Sequence, residues 1–257
     1  MKRKPRQPGP GACTYCLAHA SRRNLDHIFP SSWYPETTPR DLEKPKVPCC
    51  YDCNNRFSAV ESNLLQRFML SFGFEDLRAA GIPARTLRSV DPAFARNGRD
   101  RLHREARRTS LFREIAAASQ GELPANGHVV VPGFGPLEPN AEASVRVPLS
   151  GESLYRFNEK LARGFTFLLS GRLIDSSYDM ESGMLPEEKR EQFLERLRGK
   201  AISYGPGLLV TRWSSEDDAV VSGIEFQIWN RLSLYSAVAK KVPSGDPWDA
   251  VLGGALK

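Results

Sequence analysis

The chain has 257 residues, of which 40% are hydrophobic and 26% are charged, and its formal net charge is +6. This composition is typical of an ordinary folded protein that is long enough to bury a core. The sequence has no run of about 18 apolar residues and no apolar stretch behind its basic start. These absences argue against a membrane-spanning helix and a signal peptide, so we expect a cytoplasmic protein with no membrane partner.

The positive charge is concentrated in the first half of the chain. Residues 1–120 carry 21 Lys and Arg against 12 Asp and Glu, whereas residues 121–257 carry 15 against 18. A basic surplus is expected on the part of a protein that faces a polyanion such as nucleic acid. Residues 1–11 are predicted to form a flexible basic tail, for which phosphate contacts and plain solvation are both open.

All five cysteines lie between residues 13 and 53. Cys13 and Cys16 form one Cys-x-x-Cys pair, and Cys50 and Cys53 form another. Two turns with this spacing can supply four thiolates to one tetrahedral zinc ion. A disulfide framework is not expected in a long chain from a reducing compartment. Cys49 is the surplus cysteine, and it remains an alternative to Cys50 as a ligand.

A short strand is predicted between the two cysteine pairs, over residues 24–29, and Pro30 ends it in a turn. A proline-pinned loop then leads to the second pair. After Cys53 the apolar side chains adopt helical spacing at Phe57, Val60, Leu64 and Phe68. We therefore predict a helix that begins at Asn54, directly beside the second cysteine turn, and ends near Gly73.

The combination of cysteine turns, hairpin and helix resembles the HNH endonuclease family, the ββα-metal finger. The resemblance covers about residues 12–70, roughly a quarter of the chain. It is carried by three motifs, which are Cys13-x-x-Cys16, Leu25-Asp26-His27-Ile28-x-Pro30 and Cys50-x-x-Cys53-Asn54.

The resemblance implies a role for each residue of the central motif. Asp26 and Asn54 are implied to bind the catalytic metal, Mg²⁺ or another divalent ion such as Mn²⁺, and His27 to be the general base. Carboxylate and amide oxygens suit a hard ion that keeps several waters, and a neutral imidazole accepts a proton near pH 7. The zinc ion at Cys13, Cys16, Cys50 and Cys53 would be structural, because four thiolates leave no open coordination position.

The sequence departs from the family pattern at two places. Relatives often have an asparagine about five residues before the second cysteine pair, where it tethers the loop that carries the histidine. Here that neighbourhood is Lys44-Pro45-Lys46. The lysine that is common three residues after the metal-binding Asn or His is replaced by Phe57. Backbone carbonyls of the proline-rich loop are candidates to orient His27 instead.

The predicted fold class is α+β. A ββα HNH finger with zinc knuckles occupies residues 12–73, and an Arg-rich helical segment follows at 74–120, with its arginines facing either phosphates or the acidic side chains of the same segment. Residues 121–257 are predicted to be an α+β domain, an antiparallel sheet with helices. Within it we predict strands at 128–131, 143–149, 207–213, 219–229 and 232–239, and helices at 153–170 and 187–200.

The leading hypothesis is a hydrolase, a metal-dependent endonuclease that cleaves the phosphodiester bonds of nucleic acid, most simply double-stranded DNA. Two other interpretations stay open. One is a non-catalytic zinc-finger module that binds nucleic acid. The other is a nuclease controlled by a C-terminal sensor or oligomerisation domain, and a homo-oligomer is compatible with either.

Overall fold

The computed structural model describes residues 8–69, 77–119, 128–130 and 148–241. These residues form five α-helices, a five-stranded antiparallel sheet and small two-stranded sheets, so the predicted α+β class is confirmed. Most of the basic tail predicted at residues 1–11 lies outside the described residues. None of the described helices is both long and apolar enough to cross a lipid bilayer.

The chain divides into two compact units. The first unit takes its described residues from 1–31, 38–59 and 155–257, and the second takes them from 32–37 and 60–154. The prediction divided the chain sequentially, whereas these units interleave along it. The start of the chain, with the cysteines, therefore shares a unit with the C-terminal sheet.

The first unit begins with two small antiparallel hairpins. Strand β1 (Gly11–Ala12) pairs with β2 (His19–Ala20), and β3 (Asn24–His27) pairs with β4 (Lys46–Cys49). Helix α1 (Tyr51–Met69) follows β4 after a single residue. This confirms the predicted order of strand, proline-pinned loop and helix.

Helix α1 begins earlier than the sequence predicts. It starts at Tyr51 rather than Asn54, so Cys53 lies inside its first turn. The helical stripe is confirmed in part, because Phe57, Leu64 and Phe68 are buried. The end predicted near Gly73 lies outside the described residues.

The C-terminal sheet has the strand order β7-β11-β10-β9-β8, with all neighbours antiparallel. The strands are β7 (Tyr178–Met184), β8 (Lys200–Ser203), β9 (Leu208–Ser214), β10 (Ser222–Ile228) and β11 (Leu232–Lys240). The three strands β9, β10 and β11 were predicted, and β7 and β8 were not. These two form the edges of the sheet, where one side of each strand is unpaired.

Helix α4 (Gly151–Ser170) connects the sheet to the finger within the first unit. The Asn158 amide donates to the carbonyl oxygens of Gly183 in β7 and Tyr235 in β11, at 3.0 and 2.7 Å. On the finger side, Gly164 lies so close to Ile28 that an added Cβ would meet Ile28 Cγ2 at 2.7 Å. A side chain at position 164 would push the helix away from the hairpin. Helix α5 (Glu187–Leu197), the second predicted helix of this region, ends three residues earlier than predicted.

The second unit contains the Arg-rich segment, which is helical as predicted. Its helices are α2 (Ile82–Val90) and α3 (Gly98–Ser119). Strands β5 (His128–Val130) and β6 (Pro148–Ser150) pair antiparallel, and the remainder of the predicted strands at 131 and 143–147 lies outside the described residues.

Several arginines of the second unit make internal contacts. Arg85 donates to the carbonyl oxygens of Ser32 and Tyr34, at 2.9 and 3.2 Å. Arg104 pairs with Asp100 one turn away, at 3.1 Å. These contacts favour the interpretation in which at least part of the arginine cluster is balanced within the unit itself.

Candidate active site and metal centre

Four cysteine thiols meet at one point in the finger. The Sγ atoms of Cys13, Cys16, Cys50 and Cys53 all lie within 4.8 Å of one another. The first two come from the turn between β1 and β2, and the second two from the junction of β4 with α1. Four sulfur donors at this spacing could hold a metal ion such as zinc.

The first cysteine turn is attached directly to β4. Thr14 donates from its backbone N–H and from its hydroxyl to the carbonyl oxygen of Pro48, at 3.1 and 2.8 Å. Cys13 accepts hydrogen bonds at Sγ from the backbone N–H groups of Cys50 and Tyr15, at 3.3 and 3.4 Å. These donors bring the two turns together and stabilise negative charge on sulfur.

The electrostatics of the cluster favour a bound cation. Burial raises the pKa of Cys13, but backbone N–H groups of Cys16, Cys50 and Tyr15 outweigh it, so the pKa falls to about 7. Burial and then the charge of Cys13 raise the pKa of Cys53. Cys13 therefore ionises near neutral pH, whereas a thiolate at Cys53 is favoured when a positive ion lies between the sulfurs.

Cys49 lies outside this cluster. It stands opposite Asn24 in the β3–β4 pairing, and its thiol donates to Asn24 Oδ1 at 3.1 Å. Burial raises its pKa, so it remains a thiol. The structure thus decides the alternative that the sequence left open, because Cys50 and not Cys49 belongs to the group that could hold a metal.

Asp26 is one half of a buried ion pair. Its Oδ2 lies 2.8 Å from Nζ of Lys160 in α4, and it also accepts from the Tyr15 hydroxyl at 3.0 Å. The Lys160 side chain is 0% exposed and that of Asp26 is 12% exposed. Both contacts use Oδ2, which leaves Oδ1 as a second acceptor on the same carboxylate.

Sequence reasoning missed Lys160. A weak signal was present, because Lys160 lies among Phe157, Leu161 and Gly164, which share a face of α4 at helical spacing. A lysine on an apolar face needs an anionic or carbonyl partner when that face is buried. The sequence does not reveal that this partner is Asp26, because the two residues are far apart along the chain.

His27 ends β3, opposite Lys46. Burial first, and then the positive charge of Lys46, lower its pKa to about 4, against the opposing effect of Asp26. The imidazole is therefore neutral at pH 7. Its Nδ1 is buried without a hydrogen-bond partner among the described residues. The next residue is held by the proline-rich loop, since the Ile28 N–H donates to the Pro45 carbonyl at 3.1 Å.

His27 also lines a cavity of about 810 Å³. Three basic side chains share this lining, Arg40, Lys44 and Lys46, together with the acid Glu43. The remaining walls are mainly apolar, formed by Leu25, Leu42, Pro45, Leu168 and Tyr204. Ligand pockets in proteins are about 300–1,000 Å³. The cavity is therefore large enough for a nucleotide-sized group and carries an excess of positive charge.

Asn54 lies in the first turn of α1, one residue after Cys53, and is partly buried. Its backbone N–H donates to the Cys50 carbonyl at 3.1 Å. The donor types of Asp26 and Asn54 suit a divalent ion, and Oδ1 of Asp26 is the oxygen that the ion pair leaves available. The structure brings Asp26 together with Lys160 and Tyr15. That Asp26 and Asn54 share a metal ion stays a prediction.

No protein-family model matches the chain, and comparisons with curated proteins and with solved structures also gave no match.

Proposed function

We propose that this protein is a metal-dependent endonuclease of the HNH type, which hydrolyses phosphodiester bonds of double-stranded DNA. The observation that carries the proposal is the position of His27. It is a neutral imidazole beside an aspartate, and it lines a cavity with three basic side chains. This combination provides a proton acceptor next to a place where a phosphate would be held.

His27 would act as the general base. Its low pKa keeps the ring unprotonated at neutral pH, so a ring nitrogen can accept a proton from water. The hydroxide attacks phosphorus on the side opposite the 3′ oxygen, and the bond to that oxygen breaks. Asp26 stabilises the resulting imidazolium, because its negative charge raises the pKa of His27.

Arg40, Lys44 and Lys46 would bind the substrate phosphates. Lysine and arginine contacts to phosphate give affinity and position without reading the base sequence. Their place around His27 fits a polyanionic substrate better than a neutral one. The supported substrate class is therefore nucleic acid, and double-stranded DNA is the member that we propose.

Two metal sites belong to this proposal. Asp26 and Asn54 would hold Mg²⁺ or Mn²⁺, and such an ion stabilises the negative charge that develops on the phosphate and the leaving oxygen. The four clustered cysteines would hold a structural Zn²⁺. Their sulfur spacing and N–H donors support that assignment.

A plasmid-nicking assay with Mg²⁺ and with EDTA tests the proposal. We expect the full chain to convert supercoiled plasmid to nicked or linear forms with Mg²⁺ only. His27→Ala should lower the rate by about 10²–10⁴-fold and leave zinc content and thermal stability intact. His19→Ala is the matched control, because His19 is exposed in β2. Full activity of His27→Ala would contradict the base assignment.

Two observations favour a second function. The ion pair with Lys160 occupies one oxygen of Asp26, and His27 Nδ1 has no hydrogen-bond partner within the part of the chain that the structure describes. Both features fit a non-catalytic zinc module that binds nucleic acid. Such a module would shift the mobility of the plasmid without cutting it at any divalent ion concentration. Control by a C-terminal sensor or by self-association remains a prediction.

A further inference from the structure

Helix α4 places a charged group inside the finger. Lys160 has no exposed surface, and its ammonium donates to Asp26 Oδ2 at 2.8 Å and to the His27 carbonyl oxygen at 2.7 Å. Removing an ammonium from water is unfavourable unless anions or carbonyl oxygens replace the lost hydration. These two acceptors, on consecutive residues, provide that replacement.

Aromatic rings of the finger surround the same ammonium. Nζ of Lys160 lies 5.9 Å from the centre of the Tyr15 ring and 5.7 Å from that of Phe57. The two rings contact each other edge to face, with their centres 4.9 Å apart. Ring faces attract cations and exclude water. The ammonium is therefore bound by three parts of the finger, namely the first cysteine turn, β3 and α1.

The contacts show how Lys160 would affect His27. The ring of His27 has no hydrogen bond at Nδ1 among the described residues, so no such bond orients it and the position of its backbone gains importance. That backbone is fixed at two points, by Lys160 at the His27 carbonyl and by Pro45 at the following N–H. Lys160 is not part of the lining of the His27 cavity. It is therefore placed to act through Asp26 and His27 and not on a substrate.

We propose that Lys160 is a positioning residue of the nuclease site, which holds the Asp26 carboxylate and the His27 backbone in their working geometry. This inference rests on the proposed function. It also gives the C-terminal part of the chain a role. Asn158, half a turn before Lys160, ties α4 to the sheet, so the sheet supports the helix that supports the site.

Steady-state nicking by full-length variants tests this role. Lys160→Met keeps the length of the side chain and removes the charge. We expect kcat to fall by about 10–100-fold, and KM to stay close to the wild-type value because the basic lining of the cavity is untouched. Lys160→Arg, which retains the charge, should recover part of the loss.

The control is Arg163→Met on the same helix. Arg163 pairs with Glu159 and donates to the Ile174 carbonyl, so its loss weakens the packing of α4 without touching Asp26 or His27. The Arg163→Met variant should keep the wild-type kcat.

Mn²⁺ affinity, measured by titration calorimetry in the His27→Ala background, gives a readout besides activity. Lys160→Met should bind Mn²⁺ about 10–100-fold more weakly, because Asp26 loses the ammonium that holds its carboxylate in place. A purely structural defect of α4 would give the same losses of kcat and Mn²⁺ affinity in Arg163→Met.

The outcomes separate this inference from the proposed function. A wild-type chain that binds plasmid without cutting it would defeat the proposed function. An active wild type with an equally active Lys160→Met variant would overturn the inference alone. Equal losses of kcat and Mn²⁺ affinity in Lys160→Met and Arg163→Met would also overturn it. If Lys160→Met lacks zinc or does not fold, Lys160→Gln, which keeps one hydrogen-bond donor, is judged by the same criteria.

Discussion

The cysteine cluster and the acid–histidine pair lie in the same finger, yet they are assembled in different ways. The cysteines come from two short turns, and the spacing within each turn places its sulfurs together. The Asp26–His27 pair is completed by Lys160, which lies 133 residues beyond His27 in the chain. Each cysteine pair is therefore local in sequence, whereas the meeting of the two pairs and the partner of the neighbouring carboxylate depend on contacts between distant segments. Variants that affect one of these two regions and not the other test this difference.

Loss of the four-cysteine cluster should have the largest effect. Cys53→Ser is expected to abolish zinc binding and unfold the finger, since a structural zinc ion contributes roughly 10–16 kcal/mol in small zinc-dependent folds. Metal analysis and thermal unfolding measure this. Cys49→Ser is the control, because Cys49 lies outside the cluster and a serine can still donate to Asn24. Equal loss of zinc from both variants would contradict the assignment of the four ligands.

Breaking the ion pair should have the next largest effect. Asp26→Asn leaves the buried ammonium of Lys160 without its anion, which we expect to lower the free energy of unfolding by about 3–5 kcal/mol. Urea denaturation measures the change. In a double variant with Lys160→Met neither charge is left, so part of the stability should return. Simple addition of the two losses would show that the pair is not coupled.

The smallest effect is expected where α4 approaches the hairpin. Gly164→Ala would place a methyl group against Ile28 and lower the free energy of unfolding by about 1–3 kcal/mol. Because Lys160 lies one turn away on the same face, kcat should fall as well. Gly98→Ala is the control, since an added Cβ there meets no atom within 4 Å. Equal destabilisation by both changes would mean that the close approach of α4 to Ile28 does not matter.

Much of the fold was predictable because its signals are local. The helix after the second cysteine pair and the three inner strands of the sheet have regular apolar spacing. The strand at Asp26 is short and partly apolar, and Pro30 follows it. The edge strands β7 and β8 were missed. In strand β7 the alternation of apolar and polar residues is interrupted at Ser182, and its place in the sheet depends on pairing with β11 and on the close approach of Gly183 to Tyr235.

The sequence by itself determined that two cysteine pairs could hold a metal and which carboxylate stands beside which histidine, since both depend on spacing over a few residues. Only the tertiary structure decided that Cys49 turns toward Asn24, that His27 faces a basic cavity and that Asp26 is paired with Lys160. These contacts depend on the register of β3 with β4 and on the packing of α4 against the hairpin at Gly164. Such packing is set by shape and burial between distant segments, and no short motif encodes it.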